Sequence, residues 1–308
     1  MSTFWILLEQ MELFVIYILA GVILVKSRLF NRETLQPISK FVLRMGLPLL
    51  IFTNIINGVE RNVLLSSGSV LMSAFLFYVA MFFISMGIAR IFHVKGKTAQ
   101  IYQTMSMFGN IGFMGIPIVT SIFPERGMLY ISVFTMIDQL MLWTVGVRLT
   151  SKAEHSSFDF KKLINPVTVA IVLALIFILT GISLPEILNT AFSKIGATAT
   201  PLAMIYLGGV FACMDVRKYI CKLDYYGIVA IKMLIFPVLF YLLLGLLPIS
   251  AEIRMTMTLT SAMPVMSSVV MMANAYGTDG DYAMGGILVT TVCSIVTLPL
   301  VYWILQFI

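Results

Sequence analysis

Charged residues are scarce in this chain. Asp, Glu, Lys and Arg make up only 11% of its 308 residues, whereas hydrophobic residues make up 60%. A typical soluble domain carries about 25% charged residues, so charges this sparse cannot cover a water-exposed surface. The alternating hydrophobicity of outer-membrane barrel strands is also absent. The composition therefore predicts an all-α membrane protein that crosses the lipid bilayer several times.

Residue patterns for metal binding and catalysis are missing as well. The three cysteines, Cys213, Cys221 and Cys293, lack the spacing of a metal site or a disulfide framework, and both histidines fall in predicted loops. The chain contains no Walker loop for nucleotide phosphates and no Gly-x-Ser-x-Gly nucleophile elbow. We therefore expect no enzymatic activity, no cofactor and no bound metal.

Ten apolar segments approach or exceed the roughly 20 residues that a membrane-spanning helix needs. We number them as predicted spans 1 to 10, and they lie near residues 4–25, 37–57, 64–90, 98–122, 127–149, 165–182, 187–212, 225–247, 252–275 and 283–306. The longest connecting loop, 150–162, separates two halves of five spans each. We therefore predict an N-terminal five-helix repeat, 1–153, and a C-terminal five-helix repeat, 154–308.

Basic residues are unevenly shared between the loops. Most of the 20 Lys and Arg residues lie in loops that follow odd-numbered spans, near residues 26–40, 90–97, 148–162 and 217–222. Cytoplasmic loops of membrane proteins carry such an excess, which explains the net charge of +6 without a nucleic-acid partner. The bias predicts a multi-pass protein of the inner, cytoplasmic membrane with both termini on the extracytoplasmic side.

The two halves are related by one constant offset. A shift of 153 residues places Pro48 on Pro201 and Gly127 on Gly280, and it sets span 4 on span 9 and span 5 on span 10. Because each half has an odd number of spans, the halves have opposite membrane topology. Such inverted repeats are the architecture of many secondary transporters.

Span 4 is interrupted where an unbroken helix would be expected. Gly109, Asn110, Gly112 and Pro117 fall inside its apolar run, although proline lacks a helical N–H and glycine costs about 1 kcal/mol relative to alanine in a helix. Backbone groups freed at membrane depth are expensive unless they are buried in protein or line a watery cavity. We interpret the interruption as half of a substrate site, in which Asn110 binds a carboxylate or a coordinated cation. The alternative for Asn110 is a polar contact between helices.

The counterpart of this interruption lies in span 9. Pro264 stands mid-span between Ser261 and Ser267, and the repeat offset places it on Ile111. Paired interruptions in corresponding spans indicate a transporter's midplane site, where exposed backbone groups and the positive ends of half-helices bind an anion. The alternative is that glycine and proline only kink these membrane helices.

Ionisable residues inside the spans are the remaining candidates. Asp138, with Gln139 beside it, lies near the centre of span 5, where a carboxylate must be neutral, paired or facing water. We interpret Asp138 either as a residue that couples protons to transport or as the structural partner of Arg44 or Lys232. The further alternative for Arg44 and Lys232 is that their long side chains reach the membrane surface.

The interrupted spans resemble those of a known family. The stretch Gly109–Pro117 is similar to the span-4 signature of the auxin efflux carrier family, in its bacterial branch of malate and malonate permease-like organic-anion transporters. Four later stretches resemble the family's C-terminal pattern: Ser261–Pro264, Ala275–Asp279, Thr290–Thr291 and Thr297–Pro299. The chain lacks the long hydrophilic central loop of many plant members, so regulation through that loop is not expected. An auxin substrate does not follow either.

The resemblance implies a ten-helix inverted-repeat fold like that of bile-acid symporters. In that fold spans 4 and 9 cross at their breaks, with Pro117 and Pro264 at the crossover and Asn110 beside the site. Spans 1, 2, 6 and 7 would form a scaffold, and spans 3–5 and 8–10 would form a moving transport domain. From the residues themselves, Gly208 and Gly209 in span 7 permit close helix approach and are a candidate subunit contact.

The resemblance also implies a function. It predicts a homodimeric secondary transporter that moves a small organic anion by elevator-type alternating access, with protons or sodium as the coupling ion. The alternative from another functional class is a membrane receptor or sensor that binds a small carboxylate without transporting it.

Overall fold

The computed structural model describes residues 3–59, 68–150, 165–276 and 278–308. Most of the loop 150–162 and the predicted boundary between the repeats therefore lie outside the described residues. The described helices are α1 (Thr3–Lys26), α2 (Arg32–Gly58), α3 (Gly68–Ile91), α4 (Gly96–Met107), α5 (Ile111–Ile122), α6 (Gly127–Thr150), α7 (Pro166–Thr180), α8 (Glu186–Ala212), α9 (Val216–Ile220), α10 (Leu223–Leu244), α11 (Ala251–Ser261), α12 (Ser268–Ala275) and α13 (Gly280–Leu305). Within these ranges, strand-like pairing is confined to one bridge between Gly109 and Val265.

Seven of the described helices are long and apolar enough to cross a membrane: α1, α2, α3, α6, α8, α10 and α13. They coincide with predicted spans 1, 2, 3, 5, 7, 8 and 10, which confirms the prediction of an all-α, multi-pass membrane protein. Span 4 forms instead as α4 and α5, with the break at Gly109, and span 9 forms as α11 and α12, with the break at Pro264. Span 6 forms as the 15-residue α7.

Four helices contain a widened, π-helical turn within the described ranges. The turns are Val42–Gly46 in α2, Ile111–Gly115 in α5, Leu142–Gly146 in α6 and Val229–Ile235 in α10. In three of them a proline follows as the second residue after the turn, namely Pro48, Pro117 and Pro237. Proline has no N–H to donate, and its ring clashes with a carbonyl of the preceding turn. The wider turn accommodates the ring, so the helix continues past the proline.

The chain divides into two compact units. Unit 1 comprises the described residues of 1–68, 112–136 and 164–215, and α1 packs along α8 within it. The two backbones touch at glycines: a Cβ atom at Gly208 would lie 1.9 Å from Ile18 O, and one at Gly21 would lie 2.0 Å from Ile205 O. Only glycine fits at these contacts, as is common between closely packed membrane helices.

Gly208 and Gly209 therefore serve packing within the chain. Both are buried, and a Cβ atom at Gly209 would lie 2.7 Å from Leu35 Cδ2 in α2. The interpretation of this pair as a subunit contact is wrong, because the space that the missing side chains leave is filled by α1 and α2 of the same chain.

Unit 2 comprises the described residues of 69–111, 137–163 and 216–308, so it joins α3, α4 and the end of α6 to α9–α13. Buried aromatic rings fill its interior. Phe77 lies 5.8 Å from Phe236 and 5.9 Å from Phe240, and Tyr78 lies 5.6 Å from Phe108, between ring centroids. This cluster packs α3 against α10 and against the end of α4, next to the candidate functional site.

Candidate functional site

The two helix breaks pair with each other inside unit 2. Residues 108–110, between α4 and α5, run antiparallel to residues 264–266, between α11 and α12. Two main-chain hydrogen bonds join them, one from Asn110 N–H to Pro264 O at 2.7 Å and one from Met266 N–H to Phe108 O at 3.1 Å. We call this pairing of residues 108–110 with 264–266 the crossing.

Close approach at the crossing depends on Gly109 and Thr290. A Cβ atom at Gly109 would lie 3.1 Å from Met263 Cβ, so a side chain there would press the two breaks apart. Val265 N–H donates to Thr290 Oγ1 at 3.1 Å, and that hydroxyl donates to Gly286 O at 2.7 Å. Helix α13 thus completes the crossing. Thr290 belongs to a stretch that resembles the family's C-terminal pattern, but the sequence does not indicate that its hydroxyl meets the main chain of span 9.

The side chain of Asn110 has an unused hydrogen-bond donor. Asn110 is 1% exposed, and its Nδ2 group finds no acceptor in the part of the chain that the structure describes. The hydroxyl of half-buried Ser267, just after the crossing, also has no partner there. Leaving a buried donor unsatisfied costs about 1–3 kcal/mol, so such a group needs an explanation, for example a ligand or an ordered water. Asn110 and Ser267 are therefore the candidate ligand-binding side chains.

Three other predicted site residues lie outside the pairing. Ser261 donates its hydroxyl to Thr258 O at 2.6 Å within α11. Gly112 and Pro117 belong to unit 1, where Gly112 faces Leu47 and Pro117 is half-buried after the π-helical turn of α5. The backbone of span 4 pairs at Asn110 and not at Pro117, because the glycine that allows close approach precedes Asn110.

Asp138 is completely buried in unit 2 and is held by two side chains. Its carboxyl group accepts hydrogen bonds from the Tyr78 hydroxyl of α3 and from the Gln139 amide, the latter at 2.9 Å. The Tyr78 ring in turn packs against Phe108 of the crossing. The sequence singles out Asp138 and Gln139 but not Tyr78, which is one of many aromatic residues in the apolar spans.

Lys232 is also buried, and its side chain reaches the crossing. It lies in the π-helical turn of α10, and its ammonium group donates to Phe108 O at 3.1 Å and to Met105 O at 3.4 Å. Lys232 and Asp138 are both buried in unit 2. Because 0% of Lys232 is exposed, the alternative in which its side chain reaches the membrane surface is wrong.

Arg44 is placed differently from Lys232. It is exposed in the π-helical turn of α2, in unit 1. The donors that reach the Asp138 carboxyl group are Tyr78 and Gln139 rather than Arg44. An exposed arginine in a spanning helix fits the interpretation in which the side chain extends toward the membrane surface.

These groups suit an anionic ligand. At the crossing, the Asn110 amide and the Ser267 hydroxyl are available as hydrogen-bond donors. The Lys232 ammonium group, which donates to Phe108 O, places a positive charge next to the crossing. Helix α12 begins at Ser268, and the start of a helix carries partial positive charge. Among the described residues, no group of three or more His, Cys, Asp or Glu side chains is placed to hold a metal ion.

Comparison with known proteins identifies the family. A sequence model of the family described as "Membrane transport protein" matches residues 6–302. The chain belongs to this family. The match confirms the resemblance to the auxin efflux carrier family that the motifs of spans 4 and 9 indicate.

Similar proteins from three organisms extend over almost the whole chain. An uncharacterized transporter of Methanocaldococcus jannaschii is 22% identical over 289 residues, which cover 90% of this chain and 92% of that protein. The uncharacterized transporter YfdV of Escherichia coli is 21% identical over 302 residues, 94% of each chain. A third, from Methanothermobacter thermautotrophicus, is 24% identical over 291 residues, 92% of this chain and 94% of that protein. The names of the family and of these relatives indicate a membrane transporter rather than an enzyme.

Proposed function

We propose that this membrane transporter is a secondary carrier of a small organic anion, a carboxylate or dicarboxylate, across the cytoplasmic membrane. The observation that carries the proposal is the buried Asn110 amide, which has an unused donor at the crossing of two broken helices. A spare donor beside a carbonyl that holds the Lys232 ammonium favours a negatively charged ligand. Carboxylates combine that charge with the acceptor oxygens that an amide N–H group binds.

Side chains, more than main-chain N–H groups, would bind the substrate at the crossing. The main-chain N–H groups of Asn110, Val265 and Met266 all have acceptors within unit 2. Substrate contacts would therefore fall to the side chains of Asn110 and Ser267 and to the start of α12. Because so few groups would contact the substrate, single substitutions are informative tests.

The division of the chain supports elevator-type alternating access. Predicted spans 1, 2, 6 and 7, the proposed scaffold, fall in unit 1, and spans 3, 8, 9 and 10 fall in unit 2, while spans 4 and 5 are divided between the units. The crossing lies in unit 2, so unit 2 would carry the bound substrate as the moving domain. The antiparallel pairing of the two breaks supports the ten-helix layout of inverted repeats. The proposal includes a homodimer and extracytoplasmic termini.

Ligand-dependent stability of the purified protein tests the proposal. Monocarboxylates and dicarboxylates are screened at two pH values, because a ligand at about 100 times its dissociation constant stabilises the folded protein by about 2.7 kcal/mol. We expect some carboxylates to raise the thermal midpoint of the wild-type protein. Asn110→Ala should abolish this response while its own midpoint stays close to that of the wild type, since the removed amide donor has no acceptor in the described structure.

Asn189→Ala is the matched control. Asn189 lies in unit 1 and exchanges amide hydrogen bonds of 3.0 and 3.2 Å with Asn57, so it shares the chemistry of Asn110 but not its position. Its variant should keep the carboxylate response. The proposal is wrong if saturating carboxylates leave the wild-type midpoint unchanged, or if Asn110→Ala responds as the wild type does.

A further inference from the structure

The end of α4 carries carbonyl groups that the helix break leaves without their usual partners. In an unbroken helix Met105 O would accept from the N–H group four residues further along the chain. Here the helix ends at Met107, and Met105 O and Phe108 O both accept from the Lys232 ammonium, at 3.4 and 3.1 Å. Phe108 O also accepts from Met266 N–H. The ammonium group is thus bound to the crossing itself.

Carbonyl groups at the C-terminal end of a broken helix form a site for a cation. The end of a helix carries about half a negative charge, and in transporters with discontinuous helices such ends coordinate the coupling cation. Lys232 places a monovalent cation at this position, and the Asp138 carboxyl group is buried in the same unit. Both residues are completely buried. The chain therefore contains the oxygen ligands and also the cation that they bind.

The position of Lys232 is set by the helix that carries it. Lys232 lies inside the π-helical turn Val229–Ile235 of α10, which continues into the segment that contains Phe236 and Phe240. Both rings pack on Phe77 of α3. Because this packing holds α10 in unit 2 beside the end of α4, the ammonium group is fixed in place as a bound ion would be, but it cannot dissociate.

We propose that Lys232 takes the place of a coupling sodium ion at the crossing, so that transport by this protein does not require sodium. Sodium-independent transport rests on the proposed carrier function. Occupation of the cation site by Lys232 does not, because cation binding can be measured on the purified protein without any substrate. Experiments can therefore reject either one without rejecting the other.

Thermal stability in different salts tests the cation site. Wild-type protein is compared with Lys232→Ala in sodium chloride, choline chloride and ethylammonium chloride at equal ionic strength. We expect the wild-type midpoint to be the same in all three salts. Lys232→Ala should be less stable in choline, and sodium or ethylammonium should raise its midpoint by about 5 °C or more, since either cation can occupy the vacated position. Lys218→Ala, which removes an exposed lysine of the same unit, should behave as the wild type does.

Either of two results would overturn the cation site: a wild-type midpoint that sodium raises above its value in choline, or a Lys232→Ala protein whose midpoint no cation raises. If Lys232→Ala does not fold, the wild-type measurement still decides. Uptake of a carboxylate substrate into proteoliposomes then tests the consequence for transport. Equal uptake rates in sodium and in choline media support the proposal, and a loss of about tenfold or more without sodium contradicts it.

Discussion

At the scale of single residues, neighbours compensate the buried charged groups of unit 2. Moving a charge out of water costs several kcal/mol unless hydrogen bonds and an opposite charge offset the loss. Lys232 has two main-chain carbonyl acceptors, and Asp138 has donors in Tyr78 and Gln139. Asn110 differs, because its amide donor is buried without an acceptor in the described chain. Unit 2 thus combines a hydrogen-bonded charge network with the unpaired donors of Asn110 and Ser267 at the crossing, as a binding site requires.

Tyr78→Phe tests the network around Asp138. The substitution removes the hydroxyl that donates to the buried carboxyl group and leaves the ring in place. Losing one partner of a buried hydrogen bond costs about 1–3 kcal/mol, so we expect the free energy of unfolding to fall by that amount. Reversible unfolding in mixed micelles measures it, and Tyr206→Phe, a half-buried tyrosine of unit 1, is the matched control.

A double-mutant cycle shows whether Tyr78 acts through Asp138. If it does, Tyr78→Phe should cost much less in an Asp138→Asn background, with a coupling free energy on the order of 1 kcal/mol. The Tyr78 hydroxyl does not stabilise the carboxyl group if Tyr78→Phe lowers the free energy of unfolding equally in both backgrounds. The same conclusion follows if it lowers that free energy no more than Tyr206→Phe does.

At this scale, the sequence reveals candidate site residues only where a residue type is rare in the apolar spans. A lone carboxyl group, a lysine and an asparagine stand out in apolar spans, so Asp138, Lys232 and Asn110 were identifiable. Tyr78, the partner of Asp138, was not identifiable, because tyrosine occurs throughout these spans, and only the tertiary structure shows which hydroxyl meets which acceptor. Whether Lys232 is buried or extends to the surface was undecidable for the same reason.

At the scale of secondary-structure elements, glycine decides where helices break and where they touch. Gly109 allows the breaks of spans 4 and 9 to pair, and Gly208 lets α8 lie directly on the backbone of α1. Both breaks were predictable, because glycine and proline inside an apolar run oppose a continuous helix. The partner of Gly208 was not predictable, since close approach within one chain and between subunits leaves the same signal in the sequence.

Gly208→Ala tests the contact between α1 and α8. The added methyl group would lie 1.9 Å from Ile18 O, which is backbone and cannot rotate away. Overpacking costs about 1–3 kcal/mol or more, so we expect a clear loss of folded protein and a lower thermal midpoint. Size-exclusion profiles and thermal unfolding in detergent measure both quantities.

Gly87→Ala is the control for this substitution. A Cβ atom at Gly87 in α3 would meet nothing within 4 Å, and alanine is favoured over glycine in a helix interior by about 0.5–1 kcal/mol. This variant should be as stable as the wild type or slightly more so. A Gly208→Ala protein that matched Gly87→Ala would show that α1 and α8 do not touch as described.

At the scale of the whole molecule, the chain is a multi-pass membrane transporter whose candidate site lies within one of two compact units. The membrane class followed from composition alone, because an apolar chain with so few charges has no stable arrangement in water. The division into units did not follow from composition. Each unit draws on both halves of the sequence, so long-range packing decides it.

Counterflow in proteoliposomes tests most directly the central claim that the crossing binds a small organic anion and that the protein carries it across the membrane. Vesicles containing the purified protein are loaded with an unlabelled carboxylate that raises its thermal midpoint, and the labelled compound is added outside. We predict transient, saturable accumulation of label by the wild type and by Asn189→Ala, and none by Asn110→Ala. Label that binds without entering the vesicles would instead indicate a receptor or sensor, and accumulation unchanged in Asn110→Ala would show that the crossing is not the substrate site.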